Sequence, residues 1–525
     1  MQDNTVTFDE SESPAAIRFS PVFNVAVPFI DRHLDEGRID KVAIITADEK
    51  VTYGELSERV NRAGNALLSL GVKPAERVLM VVKDCPEFIY TFFGAIKAGI
   101  VPVPVNTMMR VADYKYLIEN SECRALLYSP DFSDTINDAL GLIEEKPNYI
   151  LTTDDLSGQM ADASPDLAPA STTEDTICFW LYSSGSTGNP KGVVHPHRSM
   201  VYTSQCSGVD VIGMREDDIC FSVSKMFHSY GFGNALTFPL WAGATIALSD
   251  QKVTPAMTFE MIEKFKPTLF FGVPTLYAQQ LHAMDKAMPD TSSIRQCVSA
   301  GEALPGDVLL RWQEKTGTLI VDGLGSTEAL HIFVGNTPAD YKPGTSGNPV
   351  GRYEVRIVDE EGSEVEQGEI GTLHVRGGST AVEYWKYPEK TAATMLPEGW
   401  LNTGDMYYQD EEGYYVNGGR GDDMLKVGGL WCSPTEIEGC LIEHDKVLEV
   451  AVVGRADPDG LIKPEAHVIL NNHDDAGTET EEELRAHCKD SIARYKYPRW
   501  INFVEELPKT ATGKIQRFRL REQAN

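Results

Sequence analysis

Five consecutive apolar residues, Ile177-Cys178-Phe179-Trp180-Leu181, run directly into Tyr182-Ser183-Ser184-Gly185-Ser186-Thr187-Gly188-Asn189-Pro190-Lys191-Gly192. That order reads as a buried strand opening into a tight loop. Gly185, Gly188 and Gly192 let the backbone approach a ligand closely, and Ser183, Ser184, Ser186 and Thr187 add hydroxyl donors. Backbone N–H groups and hydroxyls gathered beside Lys191 make a cradle for polyphosphate. The run is not a Walker A loop, because Pro190 precedes the lysine and Gly192 follows it, where Walker A places Gly and then Ser or Thr. The competing reading is a flexible Ser/Gly linker. Linkers seldom begin on a strand containing Trp180 or end in Pro-Lys-Gly-Val-Val.

A chain of 525 residues exceeds one ordinary core, so two or more domains are expected. The start, Met1-Gln2-Asp3-Asn4, lacks the basic-then-apolar order of a signal peptide. The most apolar region, residues 88–105, is broken by Gly94, Lys97, Gly99, Pro102 and Pro104, and reads as core rather than a membrane span. Nine cysteines without repeated spacing fit reduced thiols in a cytoplasm, and no CxxC suggests structural zinc. A net charge of −31 argues against nucleic acid as partner, though local lysines and backbone dipoles can still hold a nucleotide. A cytoplasmic protein without a membrane partner, monomeric or homodimeric, is expected.

Strand and helix patterns alternate from residue 42 onward. Residues 42–46 and 50–53 read as strands around a turn, 55–70 as a helix stopped by Gly71, 77–82 as a buried strand and 87–98 as a helix. This alternation predicts α/β layers with a largely parallel sheet. Residues 21–34 read as a helical approach and residues 152–175, rich in Asp, Ala, Ser and Pro, as a surface loop. His195 and His197 have the spacing of a metal pair but no local carboxylate or cysteine, so they read as loop or helix-start residues packed on the phosphate segment. After Asp422 a compact region carries helical patterns at 433–441 and 481–492 and strands at 447–453, 466–470 and 501–504, a unit of ordinary domain size. The expected domains are 1–421 and 422–525.

Two further constellations carry chemistry. Phe227, His228, Tyr230 and Phe232, among Gly231 and Gly233 after an apolar strand, suit either the wall of an aromatic pocket or ordinary core. Asp322-Gly323-Leu324-Gly325-Ser326-Thr327-Glu328 ends a strand in a turn, hydroxyls and an acid. A carboxylate beside phosphate-facing hydroxyls is what Mg²⁺ prefers.

Taken with Ser183 to Gly192, these stretches closely resemble the signatures of the adenylate-forming superfamily of acyl-CoA synthetases, carrier-protein adenylation domains and luciferases. The resemblance runs from the start of the sheet domain to Arg517. It implies a large N-terminal domain of layered sheets with helices and a small, mobile α+β C-terminal domain. It makes Ser183 to Gly188 and Lys191 the phosphate loop, Gly301-Glu302-Ala303 with Asp322, Gly323 and Leu324 the adenine side, and Thr327 a phosphate contact. Glu328 becomes the Mg²⁺ ligand, Asp405 the ribose carboxylate and Arg420 a nucleotide contact. Asp422 becomes the hinge, Gly428 and Gly429 the coenzyme A side, and Lys514 the catalytic lysine. Many relatives have Tyr where this chain has Leu324, which puts adenine stacking in doubt. His228 matches the gate over the acyl carboxylate. Ser229, Tyr230, Gly325, His331 and Ile332 match the acid pocket of the benzoate-CoA ligase branch, where His228 and Ser229 replace Phe and Ala. The resemblance therefore implies an ATP-dependent, AMP-forming acid-CoA ligase for a benzoate-like acid. A hydroxy- or aminobenzoate, an alicyclic acid, or loading of a carrier protein are the alternatives.

Overall fold

The computed structural model describes residues 2–183, 189–421, 423–427, 430–458, 461–493, 495–509 and 515–524. Two parallel sheets make the frame of the large N-terminal part. One has four strands in the order Val101–Pro104, Arg77–Val81, Ala125–Tyr128, Tyr149–Thr152, all parallel. The other has nine; its parallel centre runs Ile320–Gly325, Gln296–Ala300, Leu269–Gly272, Ile219–Ser222, Thr245–Ala247, Val42–Ile45. Ile332–Gly335 and Asn348–Pro349 extend one edge antiparallel, and Lys50–Thr52 the other. The largely parallel expectation thus holds for both sheets. A three-stranded sheet containing Ile177–Ser183, a four-stranded antiparallel sheet ending in Tyr415–Arg420 and the antiparallel pair Val6–Asp9 with Ala16–Phe19 complete this part.

Helices Tyr53–Leu70 and Pro86–Lys97 bind the frame together. The first begins on a capping box, Thr52 with Glu55, and stops at Gly71 with φ of 95°. The two cross backbone to backbone: a Cβ on Gly94 would stand 2.6 Å from the Val60 carbonyl oxygen and 2.7 Å from the Gly64 nitrogen. The second helix is buried along nearly its whole length. Even Lys97 is inside, its ammonium donating to Asp31 at 2.8 Å and to Asn61 at 2.7 Å. That is how an apolar stretch interrupted by lysine becomes core. Among the described residues no helix is long and apolar enough to cross a membrane.

The helical approach expected over residues 21–34 is present in its second half, where the π-helix Val27–Asp31 runs directly into the α-helix Arg32–Asp35. Residues 21–24 precede it without helix: buried Asn24 accepts from Ala26 N at 3.1 Å and donates to the Ile96 carbonyl at 2.9 Å, fixing the point of entry. One expectation fails. Residues 152–175 are not all loop, because Thr153–Asp162 is a helix started by a Thr152/Asp155 capping box, with Leu156 and Met160 buried. Composition outweighed a local start signal there.

The small C-terminal part is α+β: strands Val447–Ala456, Ile462–Leu470 and Trp500–Phe503 form a sheet, joined by helices Pro434–Ile442, Thr478–Ser491 and Arg517–Ala524. Asp422, Gly428 and Gly429 lie outside the described residues, as does Lys514.

Five histidines are buried in the large part, His33, His195, His197, His331 and His374, and burial lowers the pKa of each. Burial holds His33, His197 and His331 down to about 3 and His195 to about 4. Their folded pKa values lie below the ordinary 6.5, so the unfolded chain takes up their protons first. The associated stability is complete above about pH 6.5 and is lost as pH falls toward 4, at about 1.4 kcal/mol per pH unit for each histidine. Buried Asp84 and Asp322, raised by desolvation, act in the opposite sense. Calorimetry in about 1 M salt, where the repulsion of a highly charged chain is screened, is expected to show Tm nearly flat from pH 8 to 6.5 and falling steeply from 6.5 to 5. An unchanged Tm at pH 5 contradicts this account.

Candidate active site

Ile177–Ser183 and Lys191–Pro196 are the two arms of an antiparallel hairpin, with Ser183 opposite Lys191. Of the phosphate run, Ser183 and Lys191 are thus paired across these arms, while Ser184, Gly185, Ser186, Thr187 and Gly188 lie outside the described residues. The arms are held by aromatic packing, Trp180 on Trp385 at 4.6 Å and Phe179 on Phe232 at 4.9 Å between ring centroids. His195 stacks on Phe179, and its Nε2–H donates to the Thr327 carbonyl at 2.8 Å. His197 accepts from the Val25 N–H at 3.1 Å. The histidine pair is thus structural, and His195 fastens the hairpin to the segment that carries Thr327 and Glu328.

Glu328 accepts from the Tyr384 hydroxyl at 2.7 Å, and Ala381 N donates to its carbonyl at 2.7 Å. Tyr384 comes from a short edge strand paired with Val193 and Val194, so the same hairpin positions the acid from its other side. Lys191 Nζ lies 5.6 Å from the Tyr384 ring centroid. Its pKa is lowered chiefly by burial, with Glu328 opposing and Lys390 and Arg420 adding like-charge repulsion. Three cations and one carboxylate in mutual range make a site suited to a polyanion carrying a divalent metal.

A cavity of about 2280 Å³ opens between these groups and the small C-terminal part. Ser183, Lys191, His228, Thr327 and Glu328 line it, as do Gly301, Glu302, Ala303, Asp322, Gly323, Leu324 and Gly325. Asp322 is buried, and desolvation pushes its carboxyl well above the ordinary carboxylate range. Glu302 accepts from the Thr275 hydroxyl at 3.1 Å. Asp405 and Arg420 face each other across neighbouring strands, joined by a 2.9 Å ion pair, also on the cavity wall.

Four expected acid-pocket residues are not on that wall. Ser229, Tyr230, His331 and Ile332 pack behind His228 as closed core. Ser229 Oγ is 3.5 Å from Thr327 Oγ1, and Tyr230 O–H donates to the Val298 carbonyl at 3.0 Å. His331 donates through Nε2 to the Tyr230 carbonyl at 3.2 Å and lies 4.4 Å from Phe238, centroid to centroid. A Cβ on Gly233 would stand 2.4 Å from His331 Cδ2, so only glycine lets that ring in.

Sequence reasoning missed Tyr384 and the groups of the small part that reach the cavity. Arg517 bonds Glu438 at 2.7 Å, and Arg521 bonds Asp423 at 2.5 Å. The Glu438 carboxylate, and with it Asp423 and Glu302, raises the Arg517 pKa despite burial. No local pattern marks any of these; only the folded chain brings them together.

Residues 30–385 match the AMP-binding enzyme family, and residues 436–514 match the AMP-binding enzyme C-terminal domain. The chain belongs to the AMP-binding enzyme family. Among relatives in this family, the benzoate–CoA ligase of Thauera aromatica is 46% identical over 519 residues, 98% of each chain. The 4-hydroxybenzoate–CoA/benzoate–CoA ligase of Rhodopseudomonas palustris is 43% identical, over 95% of this chain and 94% of that one. The crystal structure of an anthranilate CoA ligase in complex with anthranoyl-AMP superposes with a TM-score of 0.93 at 40% identity, covering 97% of this chain and 98% of that one. The large and small parts seen here correspond to the two domains of this family.

Proposed function

We propose that this chain is an ATP-dependent, AMP-forming ligase that joins a benzoate-like acid to coenzyme A. The observation that carries it is the single cavity on which the hairpin lysine Lys191, Thr327 and Glu328, and the Asp405–Arg420 pair converge. Relatives named as benzoate–CoA ligases at 43–46% identity support the same reading.

In the first half-reaction a carboxylate oxygen of the acid attacks the α-phosphorus of MgATP, giving acyl-AMP and pyrophosphate. Such transfer is promoted mainly by positioning and charge neutralisation. Lys191 and the phosphate loop Ser183 to Gly188 take the leaving pyrophosphate. Glu328 and the Thr327 hydroxyl face the metal-bearing phosphates, and Lys514 adds positive charge from the C-terminal side. Gly301, Glu302, Ala303, Asp322, Gly323 and Leu324 hold the adenine side, Asp405 the ribose and Arg420 the nucleotide. In the second half-reaction the coenzyme A thiolate attacks the acyl carbon and AMP leaves. The domain boundary is drawn at 421/422, with Asp422 as hinge and Gly428 and Gly429 beside the pantetheine path.

The acid is placed against His228 and Gly325, which line the cavity, with the buried Ser229, Tyr230, His331 and Ile332 as the closed end of its pocket. Tyr230 and His331 are 5% and 3% exposed, and close packing at Gly233 argues for a short pocket. A pyrophosphate-exchange assay over aryl, alicyclic and fatty acids tests this, followed by thioester assay with free coenzyme A. Related rings are expected to differ modestly, about 1–3 kcal/mol per group of methylene size, and a long-chain fatty acid to be inert. Turnover of that fatty acid at the benzoate rate overturns the substrate assignment. Adenylation without saturable turnover of free coenzyme A turns the reading toward carrier-protein loading.

A further inference from the structure

Nine cysteines are free, and the ligase reaction uses none of them. Seven of them, from Cys85 to Cys432, show ordinary core behaviour, their thiol pKa values raised chiefly by burial. The remaining two differ. Cys440 on helix Pro434–Ile442 and Cys488 on helix Thr478–Ser491 are 48 residues apart, with their Sγ atoms in contact at 3.8 Å. Cys440 also lines the large cavity together with Gly439, Glu443 and Ser491, giving it a route to small solutes, whereas Cys488 is fully buried behind it.

We propose that Cys440 and Cys488 are a peroxide-oxidisable dithiol, whose disulfide fastens the two helices of the small domain to each other. The surroundings favour this chemistry. The neighbouring Cys488 thiol stabilises a thiolate on Cys440, and His487 and the Ser491 hydroxyl act in the same direction against burial and Glu443, bringing Cys440 down to about 7. Cys488 is correspondingly held protonated. The His487 ring is fixed by donation from Nε2 to the Cys440 carbonyl at 2.8 Å. A cysteine in such a setting is a reactive one, unlike a thiol buried among apolar groups.

The oxidant is a hydroperoxide. The Cys440 thiolate attacks one oxygen of HO–OH; an S–O bond forms, the O–O bond breaks and hydroxide leaves, oxidising sulfur by two electrons to the sulfenic acid. The Cys488 sulfur then attacks Cys440, the S–O bond breaks, and the thiol proton leaves with the hydroxyl as water. The sulfurs close from contact to a bonding distance of about 2.05 Å. The bridge closes a long loop, which stabilises by constraining the unfolded chain. A thiol reductant restores the pair. None of this depends on which acid the enzyme activates.

The test uses the full-length enzyme. It is exposed to a small excess of hydrogen peroxide, denatured, blocked with N-ethylmaleimide and digested, and its peptides are weighed. The expected product is a Cys440–Cys488 cross-linked peptide, reversed by dithiothreitol, with the other seven cysteines still alkylated. Oxidised enzyme should also melt at a higher temperature than reduced enzyme. In Cys488→Ser, dimedone is expected to trap a sulfenic acid on Cys440; in Cys440→Ser, Cys488 should stay a thiol. The proposal is overturned if the wild-type enzyme yields no such cross-link, or if any of the seven other cysteines is oxidised before Cys440. The wild-type readout stands even where a variant fails to fold.

Discussion

Lys514→Ala is expected to lower acyl-adenylate formation by on the order of 10²–10³-fold, the size of effect seen when one charge-stabilising donor is removed from a transition state. Thioester formation from supplied acyl-AMP and coenzyme A should change little. Lys514 itself lies outside the described residues, but its flanks are informative. Lys509 and Ile515 pair as an antiparallel bridge, and Gln516 N donates to the Pro508 carbonyl at 2.8 Å. Lys509, Ile515, Gln516 and Arg517 all line the cavity. A lysine carried beside these cavity-lining residues is presented for one half-reaction and withdrawn for the other if the small domain turns about Asp422. Asp422→Pro, which fixes φ near roughly −65°, is expected to keep adenylation and lose thioester formation if it traps the adenylating pose. Equal loss of both half-reactions in a folded Lys514→Ala protein, judged by circular dichroism, would refute this division of labour.

Glu328→Gln is expected to cost adenylation about 10²-fold and to raise the Mg²⁺ concentration needed for half-maximal rate. This substitution separates charge from shape. The amide oxygen of the introduced side chain can still accept from the Tyr384 hydroxyl, which bonds the Glu328 carboxylate at 2.7 Å, so the local packing is kept and only the anion is lost. Tyr384→Phe makes the complementary change, removing the bond and keeping the carboxylate, and should cost less. Normal pyrophosphate exchange by folded Glu328→Gln enzyme would place the metal on other groups.

What could be read in the sequence was what depends on near neighbours. Gly71 stops a helix because only a residue at ease with φ of 95° fits there. The strand leading into Ser183 follows from the unbroken apolar run Ile177 to Leu181, and it is found. Motif order along the chain gave the family. Legibility ended where distant segments meet. The His195–Thr327 bond spans 132 residues, the Tyr384–Glu328 bond 56, and the Arg517–Glu438 pair 79. None has a local pattern. The acid-pocket residues matched by resemblance are present, but their packing as closed core behind His228 reflects how Gly233 and Phe238 seat the His331 ring, a tertiary fact. The helix Thr153–Asp162 was legible in its capping box and hidden by its composition.

The bond from His195 to the Thr327 carbonyl bears on accuracy. The hairpin arms that flank the proposed phosphate loop and the segment that carries Glu328 are referenced to each other as well as to the rest of the frame. A disturbance that shifts one arm, whether a breathing motion of the sheet or a mutation at its edge, carries the other along. The spacing between the groups proposed to grip the leaving phosphates and the acid proposed to face their metal is then conserved as a difference, even while both absolute positions drift. Tolerance of this kind lets the surrounding scaffold accumulate substitutions without detuning that separation.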